Sequence, residues 1–189
     1  MRITSDCPFI DPKLIDVDSL SLYNLCNYLP EANECYAIID IGHEKTSICV
    51  VKDSMLRMFR TINLGGRYFT EFLSRDLQVS YSEAQRLKHK VSRITVGNDQ
   101  GEGLSPEDLK VSHSLTKASN TLIKELGRTV YAFKTWDKAP IKGLYLSGAS
   151  IKIQNFSTLI EENLRVDAVN DEIQQSDLKI KDHLLEDME

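Results

Sequence analysis

A chain of 189 residues, 41% hydrophobic and 27% charged, has the composition of an ordinary globular domain, which excludes collagen-like, mucin-like and wholly disordered architectures. With 23 basic and 28 acidic side chains the net charge is -5, so no global field draws it to a nucleic-acid backbone or an anionic lipid surface. Its longest apolar run, Cys35 to Ile39, is five residues, against the roughly 20 of a membrane span, and no basic-then-apolar signal opens the chain. Cys7, Cys26, Cys35 and Cys49 stand 19, 9 and 14 positions apart, which suits neither a zinc site nor a disulfide scaffold.

In chain order, Asp18 is expected to cap a helix running to about Leu29, with Leu22, Leu25, Cys26 and Leu29 on one stripe and Pro30 closing it. Three β-like runs follow, Tyr36–Ile41, Thr46–Lys52 and Leu56–Ile62, parted by Gly42-His43-Glu44 and Lys52-Asp53-Ser54, and they predict an antiparallel meander. The middle run is apolar on both sides and should be covered on both faces, as a strand between helices would be. After Gly65-Gly66 the period turns helical through Phe69, Phe72, Leu73 and Leu77, and a second helix starts at Ser80 or Ser82 with Ala84, Leu87 and Val91.

Residues 96–103 are glycine-rich and acidic and read as a mobile loop too polar to pack. Ser105-Pro106-Glu107-Asp108 then offers a cap, a first-turn proline and acids at a helix's positive end. A long helix is expected from there, through Leu115, Ala118, Leu122, Leu126, Val130 and Phe133 to Pro140. Leu144-Tyr145-Leu146 is a short strand leading through Ser147-Gly148-Ala149-Ser150 into a helix marked by Phe156, Leu159, Ile160 and Leu164. From Asp171 onward, scattered Ile and Leu among ten titratable side chains suggest a frayed amphipathic helix or linker.

Four elements carry candidate chemistry. The hairpin from Asp40 through Gly42 to Thr46 can aim backbone N–H groups at a phosphate while Asp40 holds Mg²⁺ through water, although a plain hairpin turn explains the same residues. Gly65 and Gly66 at a strand-to-helix junction would let a phosphate approach the helix N-terminus, or simply make a tight turn. Gln85, Lys88 and Ser92 share one helix face that could line a ribose or base, or be solvated surface. Gly148, Ser150 and Lys152 follow a buried-looking strand, where small residues let an adenine lie on the backbone. The histidines His43, His89, His113 and His183 show no metal spacing, and no serine elbow is present, so protease and zinc chemistry are disfavoured.

Together, the order of these elements resembles the second lobe of the actin, Hsp70 and sugar-kinase superfamily, and within it the FtsA-related bacterial actin-like proteins, especially PilM-type pilus proteins and the cytoplasmic domain of GspL-type secretion proteins. The residues carrying the resemblance are IDVDSLSLYNL (15–25), AIIDIGHEKTSICVV (37–51), INLGGRYFTEFLSRDLQVSYSEAQRLKHK (62–90) and LYLSGASIKIQNFSTLIEENL (144–164). The resemblance implies an ATP-binding lobe. Asp40, Gly42 and Thr46 would lie on the second phosphate hairpin and Gly65 and Gly66 would face the terminal phosphates. Gln85, Lys88 and Ser92 would line ribose and base, and Gly148, Ser150 and Lys152 the adenosine loop. Glu44 departs from the pattern, because a carboxylate beside a triphosphate repels it unless a metal or Lys45 offsets the charge. Ala149 replaces a frequent second glycine, and Gln85 a more usual Glu.

The family's first lobe would precede residue 10, so the chain is expected to be a fragment or a reduced relative that binds ATP and magnesium weakly and turns over little. The expected fold is α/β: an actin-like, ribonuclease-H-like lobe from residues 1–66 and 136–168, an inserted mainly helical subdomain at 67–135, and an acidic tail or linker at 169–189. The resemblance implies a scaffold, cytoplasmic and peripheral to the inner membrane, that couples an assembly ATPase to PilN-like or GspM-like platform proteins of a pilus or secretion machine. An FtsA-like division protein, or a nucleotide-binding ATPase or kinase fragment, is the alternative. The Leu22, Leu25 and Leu29 stripe or a neighbouring surface is also expected to be covered by another protein chain or by self-association with a second copy.

Overall fold

The computed structural model describes residues 34–97, 99 and 101–169, together with Asn24. The helix expected at Asp18–Leu29, its self-association stripe and the segment from residue 170 lie outside the described residues. Three strands come first: β1 (Cys35–Ile41), β2 (Thr46–Lys52) and β3 (Met55–Ile62). They pair antiparallel as the meander expected, and Asp53 and Ser54 both take positive φ in the tight turn between β2 and β3. The fourth strand, β4 (Gly143–Ser147), lies parallel to β1, giving the order β3-β2-β1-β4. A parallel pair requires a long crossover, and residues 66–137 supply it as three helices.

Those helices are α1 (Gly66–Leu77), α2 (Tyr81–Val91) and α3 (Pro106–Asp137). Ser80, rather than Ser82, caps α2 by accepting the Glu83 N–H at 3.2 Å, and Glu83 completes a Ser-x-x-Glu start signal. Ser105 caps α3 in the same way with Pro106 in its first turn, and α3 stops before Pro140. After β4 come a 3₁₀ turn, Ala149–Lys152, and α4 (Phe156–Leu164). Ala37, Ile39, Ile41, Ile48, Val50 and Ile62 of the sheet share one core with Phe69 and Leu73 of α1, the Leu115–Phe133 stripe of α3 and Phe156 and Ile160 of α4. Phe69 and Phe156 meet edge to face with centroids 5.7 Å apart. Within this core the buried Ser114 and Ser119 hydroxyls find no hydrogen-bond partner.

The expectation that residues 96–103 are too glycine-rich and acidic to pack is corrected at two described positions. Gly101 is buried, and Asp99 receives the Gly101 N–H at 2.9 Å, the Arg93 guanidinium at 2.7 Å and Asn155 Nδ2 at 2.8 Å. The acid that suggested a solvated loop is its anchor, and those donors hold the carboxyl below its ordinary pKa.

Candidate functional site

The candidate residues gather where β1 and β4 end, the side of an open sheet on which small ligands bind in α/β folds. Asp40 stands opposite Ser147 across the parallel pair, and the Ser147 hydroxyl donates to Asp40 Oδ1 at 2.6 Å. Beyond Asp40 the hairpin closes through the Gly42 N–H donating to Lys45 O at 3.0 Å. Its carbonyls turn toward α1, where Gly42 O accepts from the Gly66 N–H at 3.0 Å and His43 O from the Arg67 N–H at 2.7 Å. Gly65 makes this approach feasible, since a Cβ there would sit 2.6 Å from Gly42 O. Two first-turn N–H groups of α1 are therefore taken by the hairpin, and what Gly66 offers a ligand is its missing side chain.

Lys88 reaches this junction from α2. Its ammonium donates to Gly66 O at 2.8 Å and Thr70 Oγ1 at 2.7 Å, is half-buried, and has no carboxylate partner among the described residues. Burial lowers its pKa. Buried Ser150 closes the other side, its Oγ 3.2 Å from where a Cβ on Gly66 would stand. Gly148 holds the turn that presents Ser150, with φ +97° and room for no Cβ, which would meet Ile41 O at 2.4 Å. Asp40, Gly42, Gly65, Gly66, Lys88, Gly148 and Ser150 thus share one end of the sheet.

The remaining candidates sit apart. Thr46 is fully buried and spends its hydroxyl on Leu64 O at 2.7 Å, pinning the β3–α1 junction. Gln85 is exposed nearly one turn before Lys88 on α2. Ser92 ends α2 in the left-handed region and accepts the Gln154 N–H at 2.9 Å through its carbonyl. Lys152 is exposed at the end of the 3₁₀ turn. Three residues of the junction were not assigned to the site from the sequence: Thr70, which stands in the Gly-Gly-x-x-x-Thr pattern of the resemblance, Ser147 and Arg67. Arg67 answers the question that Glu44 raised, because its guanidinium lies 2.9 Å from Glu44 and also holds Glu71. Thr70 had a signal, four residues beyond Gly66 on one helix face; Arg67 had none, since its pairing with Glu44 depends on the docked hairpin.

The junction offers a half-buried cation, a hydroxyl and glycine backbone without side chains, whereas the Gly42, Gly66 and Arg67 N–H groups are already engaged. For magnesium, Asp40 is the carboxylate at hand, and the described residues hold no cluster of three metal-ligating side chains.

A four-stranded sheet of this order with a helical crossover, carrying its candidate residues at the ends of β1 and β4, is a lobe of the actin-like nucleotide-binding fold. Residues 37–182 match the family model described as "Cell division protein FtsA", and the chain belongs to that family. The PilM–PilN type IV pilus biogenesis complex superposes with a TM-score of 0.67 at 22% identity, over 85% of this chain and 44% of that one. MreB5 of Spiroplasma citri bound to ADP gives 0.57 at 14% identity, over 82% and 55%. The archaeal actin homolog Ta0583 gives 0.54 at 17% identity, over 84% and 51%. At these identities the likeness establishes the fold, and the chain spans about half the length of these solved relatives. No curated protein sequence matches. No helix among the described residues is long and apolar enough to cross a membrane.

Proposed function

We propose that this chain supplies the adenosine-side half of the nucleotide site of an FtsA-type actin-like protein, acting by nucleotide-dependent contact with partners rather than by turnover. The observation that carries the reading is the convergence of Lys88, Gly66 and Ser150 beside Asp40 at the ends of β1 and β4. In this reading the lobe divides near residues 66 and 136, and the intervening helices form the insertion that lines the base. ATP with magnesium is the ligand, and binding is weak because the phosphate donors on this lobe are few. Support for a second reading, a peripheral scaffold that joins PilN-like or GspM-like platform proteins to an assembly ATPase, comes from the likeness to the PilM–PilN complex.

Titrating ATP and magnesium into the chain, followed by backbone amide NMR, tests the first reading. Expected are saturable shifts around Gly66, Lys88 and Ser150 with a Kd near or above 1 mM, roughly -4 kcal/mol. Gly66→Ala, which places a methyl within reach of Ser150 Oγ, should abolish them with the rest of the spectrum retained. Shifts confined to other surfaces, or unchanged in that variant, would reject the site.

A further inference from the structure

The opposite end of the sheet, where β1 and β4 begin, carries an apolar and basic surface that the nucleotide reading leaves unused. Several contacts define it. Lys52 Nζ lies 2.5 Å from Asp137 Oδ1, which brings the β2–β3 turn beside the end of α3. Lys52 is in register with both Cys35 and Met55, and the Lys142 N–H donates to Cys35 O at 2.8 Å. Around this point Met55, Leu56 and Trp136 are 59%, 36% and 68% exposed, three of the five large apolar side chains exposed among the described residues. Arg57, Lys138 and Lys142 are exposed there and form no ion pair within the described residues. Of the nearby acids, Asp137 is taken by Lys52, and Glu34 accepts from the Tyr36 hydroxyl; Asp53 lies in the turn. The surface adjoins β3, an edge strand whose outer backbone groups no described strand pairs.

We propose that this surface docks the chain's own segment 170–189. Two observations argue for that occupant. The first is charge: the segment holds seven acids against two lysines, whereas residues 34–169 hold 19 Lys and Arg against 16 Asp and Glu. It also carries Ile173, Leu178, Ile180, Leu184, Leu185 and Met188, apolar side chains to set against Met55, Leu56 and Trp136. The second is where the described chain ends. Val169 abuts Gly143, which is in register with Tyr36, so the segment leaves the fold at the end of the sheet that carries the surface. The β3 edge lies roughly 15 Å from β4 across three strand spacings, and ten extended residues reach roughly 33 Å. Tethering at that distance makes the contact intramolecular, with an effective concentration on the order of millimolar. Docking covers the apolar corner and places carboxylates against Arg57, Lys138 and Lys142; a partner chain that needs this corner has to displace the segment.

Trp136 is the chain's single tryptophan, so its fluorescence reads the surface directly. Acrylamide quenching of the full chain at low salt should be weak. The double variant Ile180→Lys with Leu184→Lys, altered only in the segment, should raise the quenching constant about twofold or more, since the constant averages docked and released populations. Arg57→Glu with Lys138→Glu should do the same, and raising salt should move the native chain toward both variants. Equal quenching in the native chain and the Ile180/Leu184 variant would overturn the proposal. Protection that grows with protein concentration would overturn it too, by assigning the surface to a second copy.

Discussion

The two faces of the sheet follow the same alternation and are covered differently. On β1, Ala37, Ile39 and Ile41 point to the core shared with all four helices, while Tyr36 and Ile38 point the other way into a smaller cluster with Cys49, Val51, Phe59, Tyr145 and Val169. No described helix contributes a buried side chain to that second cluster, so within the described residues the helix cover expected on both faces of β2 is found on one face only. Because neighbouring residues of one strand serve the two faces, their substitutions compare the faces with backbone and propensity held constant. The lesson is that burial alone does not rank core positions; what surrounds the side chain, and how far it can collapse, sets the cost.

The largest expected effect breaks this comparison most directly. Ile39 and Ile38 are 0% and 1% exposed, yet Ile39→Ala should cost about 4 kcal/mol and Ile38→Ala about 2 kcal/mol in urea denaturation, opposite ends of the usual range for such truncations. The Ile39 cavity would be walled by helices fixed from several sides, whereas among the described residues the smaller cluster has no helix for a wall. Equal losses would show that the second face is packed as firmly as the first.

Gly148 sharpens the contrast where the faces meet, at the exit from β4. A Cβ there would lie 2.4 Å from Ile41 O, and φ +97° is itself unfavourable for any other residue. Gly148→Ala should therefore cost on the order of 2 kcal/mol and displace the Ser150 turn from Gly66. Loss of the amide signals that link residues 41 and 148, with the α3 signals retained, would be the expected NMR result. A neutral substitution would mean that the turn can move without disturbing β1.

Much of this architecture was legible in the sequence because it rests on periodicity. The meander, the both-sides-apolar β2, the long α3 with its Ser105-Pro106 start and the strand-turn-helix at residues 144–164 all follow from spacing and capping residues. The resemblance added the grouping of Asp40, Gly66, Lys88 and Ser150, which lie far apart in the chain and which no local pattern joins. Three things were not legible, each for a tertiary reason. Asp99 reads as a solvated acid until Arg93 and Asn155 are brought to it. Glu44 reads as repulsive until the hairpin docks on α1 and meets Arg67. Thr46 reads as a ligand hydroxyl until its side chain proves to be enclosed against Leu64 O.

The smallest expected effect concerns Lys88, on the helix-covered side. Its ammonium is half-buried with two neutral acceptors and no counter-charge among the described residues, and burial lowers its pKa from 10.5. The unfolded chain therefore binds more protons than the folded one between the lowered value and 10.5, and stability rises with pH across that window. Below it the desolvation cost is present in full; above it both states are neutral and the cost is gone. In Lys88→Met no group at this position titrates. Pairing the native chain with this variant cancels other alkaline titrations, including that of Cys35, whose own pKa is raised by burial. The stability difference should shift in favour of the native chain as pH climbs from neutrality toward 10.5. The shift should be modest, because the side chain is only partly buried and the Gly66 and Thr70 oxygens stabilise the charge. A difference that stays flat with pH would show that the Lys88 charge is as well solvated in the folded chain as in water. The junction would then hold no desolvated cation to present to a nucleotide, and the reading of the site would have to rest on Gly66 and Ser150 alone.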